Sequence, residues 1–181
     1  MGAAAFLPLV GRHHRRWRDL HAEPRRTARP SGTASACDAG AVPELNAPDV
    51  IRRLLTEPGR WAVVGLSTST ARAAYSVSAY LQDLGHRIVP VHPHAETVHG
   101  APGYASVLDV PGAVDVVDVF VNSTHAGAVV DHAIEVGAGA VWLQLGVIDE
   151  AAAGRALAAG LDVVMDRCPA IEGRRLGLPR D

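Results

Sequence analysis

From residue 48 onward, short apolar runs alternate with stretches in which apolar residues recur every three or four positions. The runs fall at 61–66 (WAVVGL), 87–91 (RIVPV), 115–121 (DVVDVFV), 140–145 (AVWLQL) and 161–165 (LDVVM). They are short and rich in valine, which predicts strands rather than helices. Helices are expected between them at about 72–84, 124–137 and 148–159, after a first one at 48–57 and with a short one near 105–110. In the first helix Val50, Ile51, Leu54 and Leu55 share one face, with Pro48 near the start. Gly85, Gly137 and Gly160 each stand between a helical stretch and the following strand, where a positive φ ends a helix at little cost. Strands alternating with helices predict a parallel sheet, and near-continuous Val and Leu within the strands predict burial on both faces. The expected fold class is therefore α/β: a Rossmann-like, doubly wound five-stranded parallel sheet in the order 3-2-1-4-5.

Residues 1–45 differ from the rest. They hold seven Arg against four acids, are rich in Ala, Pro, Gly and Ser, and carry no sustained period. This composition predicts a disordered basic extension, with the folded domain at 46–181. The apolar run Gly2–Val10 precedes the basic run Arg12–Arg16, the reverse of a secretory signal, so an unstructured tail or a misassigned start is the simpler expectation. An arm for nucleic acid or anionic lipid is only weakly supported by Arg this dispersed.

From residue 46 on, ten Arg face fifteen acids. That acidic balance argues against nucleic acid as the main partner. No apolar run approaches the roughly 20 residues needed to cross a bilayer, so no membrane partner is expected. Two cysteines, Cys37 and Cys168, do not make a disulfide framework, and a reducing cytoplasm is the simpler setting. All 17 basic residues are Arg and none is Lys. A bound phosphate would have to be held by backbone N–H groups, hydroxyls, Arg or His.

Ligands of doubly wound sheets sit beyond the carboxyl ends of the strands. Strand one ends in Gly65, Leu66 and Ser67, and Thr68, Ser69, Thr70 and Arg72 follow before the next helix. A helix N-terminus with hydroxyls and an Arg suits an anion; the same residues also make an ordinary capped βα turn. Strand two ends in His92-Pro93-His94, and strand three in Phe120 followed by Val-Asn-Ser-Thr-His125. The three histidines lack an acid or thiol at telling spacing, so no metal is expected. Ser123 and His125 are too close in sequence for a triad and no G-x-S-x-G elbow is present, so no catalytic constellation is predicted. Gln144 interrupts apolar strand four and needs a partner if buried, either a ligand or a neighbouring loop. After strand five, Asp166 and Arg167 are a candidate structural pair, and Cys168 reads as a small buried residue rather than a reactive thiol.

Read in order, these strand ends resemble the small stand-alone CoA-binding proteins (the YccU-like group), related to the N-terminal CoA-binding domain of the succinyl-CoA synthetase α subunit. The segments that carry the resemblance are A-V-V-G-L-S (62–67), Arg72 with Tyr75 and Val77, P-V-x-P (90–93), Val114–Phe120, V-W-L-Q-L-G-V (141–147), G-L-D-V-V-M-D-R-C (160–168), Ile171-Glu172 and Arg174-Arg-Leu176. It spans about residues 47–178. It implies a non-catalytic protein that binds coenzyme A or an acyl-CoA, with the pyrophosphate near the first turn and helix. The adenosine would reach toward the ends of strands two and three. By position it implies Gly65, Ser67, Arg72, Pro93, Phe120 and Gln144 as contacts. Leu66, Thr68, His92 and His94 complete the candidate set from the strand ends themselves.

Where the family often has a basic residue, this chain has Ser69, His94 and Val121, and Ala73-Ala74 stand in place of a Pro-Ser pair. Fewer cations near a polyanion predict weaker binding. No ligase activity is expected, since the synthetase's phosphohistidine and nucleotide-grasp portions have no counterpart here. Two other readings remain open: an NAD(P)-binding Rossmann module, and a regulatory or partner-binding subunit with a degenerate ligand site.

Overall fold

The computed structural model describes residues 44–179. The basic extension expected at 1–45 lies almost wholly outside the described residues. The elements run α1 (Pro48–Thr56), β1 (Arg60–Val64), α2 (Ala73–Asp83), β2 (Arg87–Val91), a single 3-10 turn (Val107–Asp109), β3 (Val116–Val119), α3 (Ser123–Glu135), β4 (Ala140–Leu143), α4 (Glu150–Ala158), β5 (Asp162–Val164) and α5 (Pro169–Arg175). Each strand and helix expected from the pattern is present within about two residues of its predicted ends. The short helix near 105–110 is one 3-10 turn, whose cap Ser106 accepts a hydrogen bond from the Leu108 N–H at 3.2 Å. α5 is additional. Pro169 sits in its first turn and Arg174 and Arg175 in its last, but seven residues are too few to show a helical period.

All five strands are parallel, and the fold is the expected Rossmann-like α/β class. The strand order is β2-β1-β3-β4-β5, which corrects the predicted 3-2-1-4-5. β3 returns across β1 and pairs with it from Trp61↔Val116 to Val64↔Val119, leaving β2 at the edge. Pro90 explains why β2 suits an edge. Its carbonyl points outward and accepts from the Tyr104 N–H at 2.9 Å, so the N–H that proline lacks would have pointed the same way. A central β2 would have needed that N–H for its ladder.

Apolar side chains pack on both sheet faces. On one, Ala62, Val64, Val117, Val119, Val141 and Leu143 lie under α3 and α4. On the other, Trp61, Val63, Val116 and Trp142 meet α1 and α2, with Leu176 of the α5 terminus packed beside them. Trp61 and Trp142 are fully buried with ring centroids 5.7 Å apart, and the Trp142 indole N–H donates to the Arg167 carbonyl at 2.9 Å. Arg167 itself reaches Glu172 at 3.9 Å, while Asp166 accepts the Gly146 N–H at 2.7 Å, so the two residues serve different neighbours rather than each other. Among the described residues no helix is long and apolar enough to cross a membrane.

Candidate functional site

The strand order sets where the crevice of the sheet lies. β2 lies on one side of β1 and β3 on the other, so the chain reverses direction between β1 and β3, and a crevice opens there beyond their carboxyl ends. In the predicted order the reversal would have fallen between β1 and β4. Gly65 and Phe120 flank the observed crevice. The Gly65 N–H donates to the Val91 carbonyl at 2.8 Å, and the Phe120 N–H donates to the Val64 carbonyl at 2.9 Å. Gly65 turns with φ +96°, and a Cβ there would stand 3.2 Å from the Phe120 Cβ. Both a positive φ and close approach therefore require glycine at this position.

A cleft of about 650 Å³ occupies the crevice. Its rim combines the ends of β1, β2 and β3 with one face of α3. Gly65, Arg72, His92, Pro93 and Phe120 line it, as expected from the strand ends. The other candidates do not line it, although Leu66, Ser67 and Thr68 lie on the turn between Gly65 and Arg72, which do. Leu66 is fully buried in the core beneath α2, and Ser67 is buried, its hydroxyl turned toward the Ser69 N–H at 3.5 Å. Thr68 is exposed on the turn and donates its N–H to Glu96 at 2.8 Å. His94 is exposed with its ring against His92, centroids 5.1 Å apart.

Gln144 does not line the cleft. β3 lies between β4 and β1, and the buried Gln144 amide donates to Asp118 Oδ1 at 2.6 Å. Its partner is thus a neighbouring strand, neither of the two sources considered from sequence. Asp118 has no solvent exposure, and burial pushes its carboxyl up to about 8 against the opposing pull of the Gln144 amide and the Val119 N–H. Its Oδ2 has no protein hydrogen-bond partner. Asp118 escaped the sequence reading, although polar residues interrupting two consecutive apolar strands were a usable signal for a buried pair.

α3 supplies further cleft residues, of which the sequence had singled out only His125, as a strand-end histidine and not as a ligand contact. His125, Val129 and His132 line one wall at spacings of four and three, one stripe of a helix. The His125 ring is held by Nδ1···Oδ1 contact with Asn122 at 2.7 Å, and Asn122 Oδ1 also accepts from the Thr124 hydroxyl at 2.6 Å. The cleft therefore joins an apolar floor of Val64, Val91, Val107 and Phe120 to polar walls carrying Arg72, His92, His125 and His132. An apolar slot with cationic or neutral donors around it, beside a turn entering a helix N-terminus, fits a nucleotide-like molecule with an anionic part. Among the described residues no cluster of His, Cys, Asp and Glu has the makings of a metal centre.

Fold and site define a Rossmann-like domain with a cleft at the β1/β3 switch point. Residues 59–174 match the CoA binding domain family, and the chain belongs to that family. It is 34% identical over 118 residues to the uncharacterized protein YneT of Bacillus subtilis, covering 65% of this chain and 87% of YneT. It also resembles the solved structure of a hypothetical protein from Pyrococcus horikoshii, with 38% identity and a TM-score of 0.68, over 72% of this chain and 92% of that one. A part of the dinucleotide forming acetyl-coenzyme A synthetase 1 of Ca. Korarchaeum cryptofilum is similar as well, with 25% identity and a TM-score of 0.56, over 64% of this chain and 27% of the synthetase.

Proposed function

We propose that this protein binds coenzyme A or an acyl-CoA in the β1/β3 crevice and does no chemistry on it. The pyrophosphate would lie on the Gly65–Arg72 turn and the adenosine beside His92, Pro93 and Phe120. The observation that carries this reading is the convergence, in one cleft of a CoA binding domain, of the glycine turn, Arg72 and the ends of β2 and β3. Backbone N–H groups, hydroxyls, an Arg and histidines are the donors left to a chain without Lys, and three of those histidines face the cleft.

A binding role is favoured over catalysis by where the perturbed acid lies. Asp118, whose carboxyl burial pushes up, is sealed inside the sheet beside Gln144 and does not line the cleft, whereas catalytic acids with displaced pKa values face their substrates. The free thiol of Cys168 is compatible with a reducing cytoplasmic setting.

Calorimetric titration discriminates CoA from the nicotinamide dinucleotides. CoA should bind at one site per chain, and NADH much more weakly, because β2 is followed by His92 and not by the acid that grips an NAD ribose. Absence of CoA binding at millimolar ligand, or tighter binding of NADH, would overturn the proposal. Loss of CoA binding together with stoichiometric capture of a partner protein would point to the regulatory reading.

A further inference from the structure

We propose that Glu96 is an internal stand-in for the ligand's phosphate: its carboxylate sits on the first turn in the free protein and must leave that turn when a pyrophosphate binds. The inference rests on the assignment of the Gly65–Arg72 turn as the phosphate subsite. It deepens that assignment by naming the residue that sets the affinity.

The contact is specific and long-range. The Thr68 N–H donates to Glu96 Oε2 at 2.8 Å across 28 residues of sequence. Thr68 lies within the turn whose two ends, Gly65 and Arg72, line the cleft. An amide on a turn ahead of a helix offers an anion the same thing whether the anion is a carboxylate or a phosphate oxygen. Two anions on one amide would repel each other as well as compete for the donor.

The loop that carries Glu96 is built to hold it there. Ala95 and His99 bracket it with φ of 48° and 50°, a left-handed conformation that residues with a Cβ seldom adopt. Gly103 packs so closely beneath that a Cβ on it would run into the Glu96 carbonyl. His99 anchors the far side of the loop to α2 through Nε2···O of Tyr75 at 2.9 Å and a ring contact with centroids 4.2 Å apart. Val98 and Ala101 close the loop with reciprocal backbone hydrogen bonds. The side chain of Glu96 can therefore swing off Thr68 while its own loop stays anchored by His99. The amide and hydroxyl of Thr68 lower the carboxyl's pKa, and His92 and His94 add to this, so Glu96 stands on the turn as an anion. A ligand that must displace an internal anion binds with an apparent affinity reduced by the fraction of molecules in which the turn is open.

The test is calorimetric titration of the full chain and of its Glu96→Gln and Glu96→Ala variants, with CoA and separately with inorganic pyrophosphate, at low salt and at high salt. Both variants should bind both ligands about tenfold more tightly than the parent at low salt, a change of about 1.4 kcal/mol. High salt should shrink the gain from Glu96→Gln, because screening weakens the removed repulsion. Unchanged or weaker binding of both ligands by both variants would make Glu96 a strut for the turn and overturn the inference. If no protein binds CoA but the variants bind pyrophosphate more tightly than the parent, the CoA assignment falls and the role of Glu96 stands. If none of the three binds either ligand, both fall.

Discussion

Asp118→Asn should make the protein markedly more stable than its parent above pH 8 while leaving the two nearly equal near pH 4. Asp118 is an acid whose carboxyl is raised to about 8 by complete burial. An acid with a higher pKa folded than unfolded favours the native state at low pH, where both states are protonated. That advantage is lost as pH rises from the unfolded value near 4 through about 8, because the unfolded chain releases its proton first. One unit of displacement corresponds to about 1.4 kcal/mol, so even half of the shift removes ~3 kcal/mol by alkaline pH. The asparagine has no proton to lose and still offers Oδ1 to the Gln144 amide. Thermal unfolding from pH 4 to 9 should show the variant gaining roughly 10 °C over the parent at the alkaline end. Parallel profiles would mean that Asp118 is solvated or ionised in the native protein.

Gly65→Ala should cost the protein CoA affinity by a factor of ten or more, and Gly137→Ala should not. Both glycines have positive φ, +96° and +66°, so alanine strains the backbone at either, by about 1–2 kcal/mol. Their surroundings differ. A Cβ on Gly137 meets nothing within 4 Å, whereas on Gly65 it presses against the Cβ and carbonyl carbon of Phe120 at 3.2 and 3.4 Å. Relief of that contact must move the first turn, the end of β3, or both, and these are the two walls of the crevice. Chemical denaturation should report a loss for both variants, the larger for Gly65→Ala because of the added contact with Phe120, and CoA titration should register only that one. Equal affinity in Gly65→Ala and the parent would remove the β1/β3 crevice from the site.

Local elements were legible in the sequence because Val-rich runs, helical stripes and the closing glycines are local signals. The strand order was not, since nothing local states on which side of β1 the chain returns after β2. One residue did bear on it: Pro90 is awkward inside a central strand and acceptable at an edge. The strand order also decides the surroundings of Gln144, which the resemblance had implied as a contact. With β4 beside β1, Gln144 would have stood at the crevice; with β3 between them it turns to Asp118 instead.

Gly65, His92, Pro93 and Phe120 line the cleft from the ends of strands and Arg72 from the start of α2, places where position in the sequence alone implies access to the crevice. Val129 and His132 were harder, since their part depends on which stripe of α3 faces the crevice, whereas His125 directly follows strand three. Glu96 was hidden for another reason. Its meaning comes from a fold-back of 28 residues onto Thr68, through a loop with two left-handed residues that no turn signature announces.

A crystal structure of the protein grown with CoA tests the central claim most directly. The account predicts the pyrophosphate on the Gly65–Arg72 turn in contact with Arg72, the adenosine against Pro93 and Phe120, and Glu96 swung away from Thr68. CoA bound outside the β1/β3 crevice, with the first turn still closed by Glu96, would contradict it.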